Sequence, residues 1–132
     1  MRHSELTEQI IGLFYQVYNE LGFGFLESVY ENALAIALAE AGLSVEQQAP
    51  IPVSFRSRKV GDFRCDLLVE QSVILELKAV REIAPEHVAQ VLNYLRATQV
   101  EVALILNFGE KATFKRLVFD NERKKRRSRA GL

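Results

Sequence analysis

Cysteine is almost missing from this chain. Cys65 is its one cysteine in 132 residues, which excludes an intrachain disulfide and a thiolate metal cluster. It falls within an expected strand, where a small buried hydrophobe is the ordinary role and a nucleophile the rarer one. Long apolar runs are missing as well. No stretch approaches the ~18 residues of a spanning helix. The opening "MRHSELTEQ" has no apolar core of a secretory leader. A soluble, cytoplasmic protein with no membrane partner is therefore expected. Repeats are absent, and low complexity is confined to the C-terminal end.

What is present fits one folded domain. Hydrophobic residues make up 48 % of the chain, too many for a disordered one, and the length suits one core and not two. Formal net charge is zero but unevenly placed. Residues 1–110 hold 15 acidic and 8 basic residues, net −7, and residues 111–132 hold 2 and 9, net +7. An acidic body, 1–120, followed by a basic flexible tail, 121–132, is the expected organisation.

Apolar spacing places helices and strands along the body. Ile10, Ile11, Phe14, Val17, Tyr18 and Leu21 recur at helical intervals, with Ser4 as the expected N-cap and Gly22 just past the end. A second helix is expected from Leu26 to Ala41. "QAPIPVSF", with Pro50 and Pro52, reads as an edge strand. "RSRK" reads as a turn, "VGDFRCDLLVE" as a second strand, and "VILELKAV" as a third, in an antiparallel meander. Pro85 opens a third helix reaching Thr98. "VEVALILNF" is apolar enough to be covered on both faces, and it returns after a helix, which favours parallel pairing. "TFKRLVF" closes the order ααβββαββ: an α/β fold with a mixed β-sheet flanked by helices.

Charged groups interrupt this pattern in one place. Glu76 and Lys78 sit two apart in the apolar third strand, so they share a face. A tight turn at 70–72 brings Asp66, on the preceding strand, beside them. Isolated buried charges are costly, so such a group must pair or hold an ion. Two carboxylates and a nearby carbonyl offer the oxygen ligands that Mg²⁺ takes, with places left for water and phosphate. A lysine beside them can orient or deprotonate an attacking water and offset charge on phosphorus. That spacing fits metal-assisted phosphodiester hydrolysis. The plainer alternative is a Glu–Lys pair on a solvated sheet face. Glu27 and Tyr30 share a face of the second helix, and Glu27 in its first turn is either a site carboxylate or a dipole cap. On the third helix Gln90 and Tyr94 are four apart and can position phosphates, or simply be polar groups on the helix exterior. His87 on the same stripe reads as a surface histidine.

Several of these segments resemble one family. "GFLESVY" resembles the signature of the GxxExxY family, with Gly24, Glu27 and Tyr30 in the named places. "IIGLFYQVYNELGFGFLESVYENAL", "RCDLLVEQSVILELKAV", "HVAQVLNYLRAT" and "LILNFG" are similar to it in order and spacing, over roughly residues 6–119. The resemblance implies the PD-(D/E)XK nuclease superfamily and a restriction-endonuclease-like core. It implies Asp66 and Glu76 as metal ligands, Glu27 as an outer or additional one, Lys78 as the catalytic lysine, and Gln90 and Tyr94 as the "QxxxY" element of the lambda-exonuclease and RecB-type branches. Mg²⁺ or Mn²⁺ is the implied cofactor and DNA or RNA the implied partner. Cys65 stands where the superfamily often has proline, and Tyr18 where many relatives have histidine. Tyr30 and the basic residues Arg123, Lys124, Lys125, Arg126, Arg127 and Arg129 are the expected nucleic-acid contacts, the latter through phosphate neutralisation. A homodimer is one option, by analogy with small nuclease domains that grip two strands. A binding or assembly module on a nuclease fold, with little or no turnover, stays open as the second function.

Overall fold

Helices α1 (Ser4–Leu21) and α2 (Glu27–Glu40) come first in the computed structural model, which describes residues 3–124. Strands β1 (Val45–Phe55), β2 (Arg58–Val69) and β3 (Val73–Lys78) follow, then α3 (Pro85–Ala97), β4 (Val102–Phe108) and β5 (Ala112–Val118). The sheet order is β1-β2-β3-β4-β5. All neighbours are antiparallel except β3 and β4, which are joined through α3 and pair in parallel. The expected architecture and its one parallel pair are both present.

The side chains of β3 and β4 alternate between two cores. Leu75, Leu77, Leu104, Leu106 and Phe108 pack under α1 and α2 with Ile10, Phe14, Tyr30 and Leu34. Ile74, Ala103 and Ile105 pack on the opposite face under Val91, Tyr94 and Leu95 of α3. Every residue of β4 is buried, as a strand covered on both faces must be. Among the described residues, no helix is long and apolar enough to cross a membrane.

Turns differ in detail from the expected ones. The β1–β2 turn is only Arg56 and Ser57, with φ of 49° and 63°. The β2–β3 turn puts Glu70 and Gln71 at φ 52° each. Paired left-handed residues match the twist of the flanking strands, and neither turn uses glycine. Two bonds to Ser44 brace the second turn: Glu70 N–H donates to the Ser44 carbonyl at 2.9 Å, and Ser44 N–H donates to the Glu70 carboxylate at 2.7 Å. That carboxylate is held below its usual range by the Ser44 donor. Ser4 is not the cap of α1. His3 occupies that place with φ 51° and no side-chain bond, and the Ser4 carbonyl instead accepts the Thr7 hydroxyl within the first turn.

Strand β2 departs from regular alternation at one point. Leu67 and Val69 face α1 and α2, yet Cys65 faces α3, although an unbroken period of two would put all three on one side. The strand changes face at Asp66. Opposite it on β1, Gln48 has φ 53°, between the pairs Gln47↔Leu67 and Ala49↔Cys65. Beyond this point β1 and β2 continue as a two-stranded arm, because β3 pairs with β2 only from Leu67 to Val69.

Candidate active site

The β2–β3 ladder stops at Leu67↔Leu75, and two carboxylates take over from it. Asp66 N–H donates to Glu76 Oε1 at 3.0 Å. Leu77 N–H donates to Asp66 Oδ2 at 2.7 Å. Each strand thus satisfies a backbone donor on the side chain of the other, in the fork where the strands part. Asp66 and Glu76 converge as their spacing implied, and Glu76 and Lys78 share the α3-side face with Ile74.

Burial makes this a stressed pair. Glu76 is 5 % exposed, and it is the sole buried charged side chain among the described residues. Desolvation foremost, and then the Asp66 charge, push its carboxyl up to about 8; the Asp66 N–H and Lys78 pull the other way, and Glu27 adds to the rise. Lys78 is half-buried. Cys65, just behind, is buried, and burial followed by the charges of Glu76 and Asp66 raises its thiol to about 12. A thiol so disposed is inert at neutral pH, in keeping with its reading as a small hydrophobe.

Glu27 reaches the same place from α2. It is exposed, and its Oε2 accepts the Ala79 N–H at 3.3 Å. Gln48 extends the polar surface: its side-chain nitrogen lies 2.8 Å from Glu31 Oε1 and 3.5 Å from Asp66 Oδ1. No three His, Cys, Asp or Glu side chains among the described residues form a group able to hold an ion. The Asp66–Glu76 pair supplies two carboxylates. That still suits Mg²⁺, which is commonly bound by one or two carboxylates and completes its shell with water and substrate phosphate.

Sequence reasoning missed the residues that hold the chain after β3. Asn107 is fully buried in β4. Its Oδ1 accepts Val80 N–H and its Nδ2 donates to Val80 O, both at 2.9 Å, and Nδ2 also reaches Thr113 Oγ1 at 3.3 Å. Gly109 has no room for a Cβ, which would run into the Val80 carbonyl. Tyr18 Oη lies 2.7 Å from the carbonyl oxygens of both Gly109 and Glu110. The signal was available: an amide in the otherwise apolar "ALILNF" needs a buried partner.

Other expected residues go elsewhere. Tyr30 is no nucleic-acid contact: it is 0 % exposed, stacks on Phe108 with centroids 4.3 Å apart, and donates its hydroxyl to Gly22 O. Its aromatic ring belongs to the core and its hydroxyl fixes the loop before Glu27. Lys124 is not free for phosphate either, since Nζ donates to Thr98 O at 2.9 Å and Val100 O at 2.7 Å. Burial there lowers its pKa. Residues 121–124 form a helical turn. Arg123 is exposed, with its guanidinium 5.1 Å from the Phe119 ring centroid. Lys125, Arg126, Arg127 and Arg129 lie outside the described residues. His87 caps α3: its Nδ1 accepts Ala84 N–H at 3.0 Å. Tyr94 is buried with its hydroxyl raised to about 12, by burial first and then by the charges of Glu76 and Asp66. Gln90 is exposed and lines a cleft next to Tyr94.

A profile of the PD-(D/E)XK nuclease superfamily matches residues 4–117. The chain belongs to the PD-(D/E)XK nuclease superfamily. The fold agrees: a structure titled "Crystal structure of SSO0001" aligns with TM-score 0.56 at 16 % identity, covering 96 % of this chain and 66 % of that one. No curated protein matches the sequence. Asp66 and Glu76 meet at the fork of β2 and β3, with the Lys78 charge acting on Glu76.

Proposed function

We propose that this chain is a divalent-metal-dependent nuclease, and that within the superfamily it is a GxxExxY protein, with Gly24, Glu27 and Tyr30 in that signature. The observation that carries the activity is the Asp66–Glu76 pair. Two carboxylates tied to one another's strands, one of them buried, form a site that is electrostatically incomplete without a cation. Asp66 and Glu76 would hold Mg²⁺ or Mn²⁺. The ion would polarise the phosphodiester and lower the pKa of a bound water.

The chain's own groups do the rest. Lys78 lies on the same face two residues on, where its ammonium can orient the water and offset charge gathering on the phosphate. Glu27 fixes the backbone just after Lys78 through Ala79. Tyr94 of α3 lies within range of the carboxylates' charges, and Gln90 offers an exposed amide on the cleft it shares with Tyr94. A cytoplasmic setting and a homodimer remain parts of the same proposal, as does the assignment of the basic tail to phosphate.

The test is cleavage of labelled DNA and RNA, single- and double-stranded, with Mg²⁺, Mn²⁺ or EDTA. Metal-dependent cleavage that Asp66→Asn abolishes is the expected result. Tight nucleic-acid binding with no cleavage of any substrate would leave the binding-module reading in its place.

A further inference from the structure

The arm formed by β1 and β2 beyond Gln48 and Asp66 has two features that the carboxylate site does not use. The first is charge. Residues 55–64 carry Arg56, Arg58, Lys59 and Arg64 against one acid, Asp62, whereas the remaining residues of 1–110 hold 14 acidic and 4 basic residues, net −10. Lys59 is partly offset by Asp62 at 2.9 Å. Up to residue 110 the chain is therefore acidic except at the arm, the part that projects past the end of β3.

The second is a cleft of about 630 Å³ between the arm and α3. Phe63 and Val53 line it from the arm, and Gln90, Asn93, Tyr94 and Arg96 from the helix. Phe63 is 48 % exposed. A Cβ on Gly61 would meet the Phe63 ring at 2.9 Å, so the bare glycine leaves room for the ring over the strand at the edge of the cleft. The ring centroid of Tyr94 is 6.2 Å away. Opposite are the Gln90 amide and an Asn93–Arg96 pair, in which the guanidinium donates to Asn93 Oδ1 at 2.8 Å; amides and guanidinium groups are those that hydrogen-bond base edges. The volume is in the range of small-ligand sites. Tyr94 is shared: it walls the cleft and also feels Glu76 and Asp66.

We infer that this cleft receives an unpaired nucleobase, stacked on Phe63, while the basic arm holds the flanking phosphates, so that the substrate is single-stranded nucleic acid or a frayed strand end. The inference rests on the phosphodiesterase reading for its purpose, not for its geometry. A base inside a duplex cannot reach a slot one residue wide without being unstacked and extruded. A single strand has π-faces free and stacks on aromatic platforms with little sequence preference.

The experiment measures binding apart from turnover. Fluorescence anisotropy of labelled single-stranded DNA, single-stranded RNA and blunt duplex is recorded in Ca²⁺ at low salt, with the full chain. Wild type should bind single strands more tightly than the duplex. Phe63→Ala should weaken single-strand binding about tenfold, the scale of one lost base stack, and Phe63→Trp should restore it. An oligonucleotide with abasic positions should weaken wild-type binding by a similar factor and leave Phe63→Ala unaffected. That arm needs no altered protein, so a folding defect cannot imitate it. Equal wild-type affinity for intact and abasic strands, or for single strand and blunt duplex, overturns the inference, as does failure to bind single strands at micromolar concentration. Cleavage with Mg²⁺ or Mn²⁺ is scored separately. Its absence beside base-dependent binding removes the nuclease reading alone, and its presence with base-independent binding removes the cleft alone.

Discussion

The proposed role of Glu76 conflicts with its surroundings. As a metal ligand it would have to be ionised, yet burial and Asp66 raise its carboxyl from 4.5 to about 8. Between those values the folded state binds more protons than the unfolded one, so metal-free stability is greatest below about 4.5 in this group's contribution and falls as pH rises toward 8. Glu76→Gln removes that slope. Urea denaturation at pH 8 without metal should find the variant more stable, on the order of a few kcal/mol, although it no longer cleaves. Equal stability of the two proteins at pH 8 would mean that the carboxylate is not strained. Lys78 offers the complementary test. In the proposed mechanism its ammonium matters most when phosphate charge shifts, so Lys78→Ala should cut single-turnover cleavage ~10²-fold or more. Affinity should change much less, and circular dichroism should report an intact fold.

The decisive element is the end of β3 and the turn after it. Asn107→Ala would strand the Val80 N–H and carbonyl, costing about 1–3 kcal/mol, and Gly109→Ala would push the Val80 carbonyl aside at a similar cost. Both should lower activity without touching a carboxylate, and thermal melts set beside cleavage rates check this. These elements also show what could be read in the sequence. Period-two spacing put Glu76 and Lys78 on one face, and the short turn at 70–72 brought Asp66 across, because both are local rules of strand geometry. Asn107 and Tyr18 were missed as tethers because their partners are 27 and 91 positions away, where local pattern carries no information. Tyr30 misled for a related reason. Helical spacing gives the shared stripe of Glu27 and Tyr30, but not that the core begins between them. The arm's exit from the sheet was equally hidden, since a strand's sequence does not record where its neighbour stops.

At the scale of the whole molecule, the proposed function asks an acidic body to attract a polyanion, and two basic features are available for that. Deleting residues 125–132 removes Lys125, Arg126, Arg127 and Arg129. It should reduce affinity for nucleic acid and flatten its salt dependence, while leaving the cleavage chemistry intact. An unchanged salt slope would assign the electrostatics to the arm alone. Divalent metal should raise the thermal midpoint at pH 8 by mass action, and Asp66→Asn should abolish that rise. The fold class was readable at this scale, since apolar periods and the ααβββαββ order leave few packings.

The fork between β2 and β3 also bears on how the protein reaches its working state. Its carboxylates are joined by bonds spanning 10 and 11 positions, within one hairpin. The turn that frames Lys78 waits for contacts spanning 27, 52 and 91 positions. Short loops close at lower entropic cost and faster than long ones. During refolding, then, metal capture should precede competence: a chain diluted from denaturant into Mn²⁺ should acquire its bound-metal signal in an early phase and its cleavage activity in a later one.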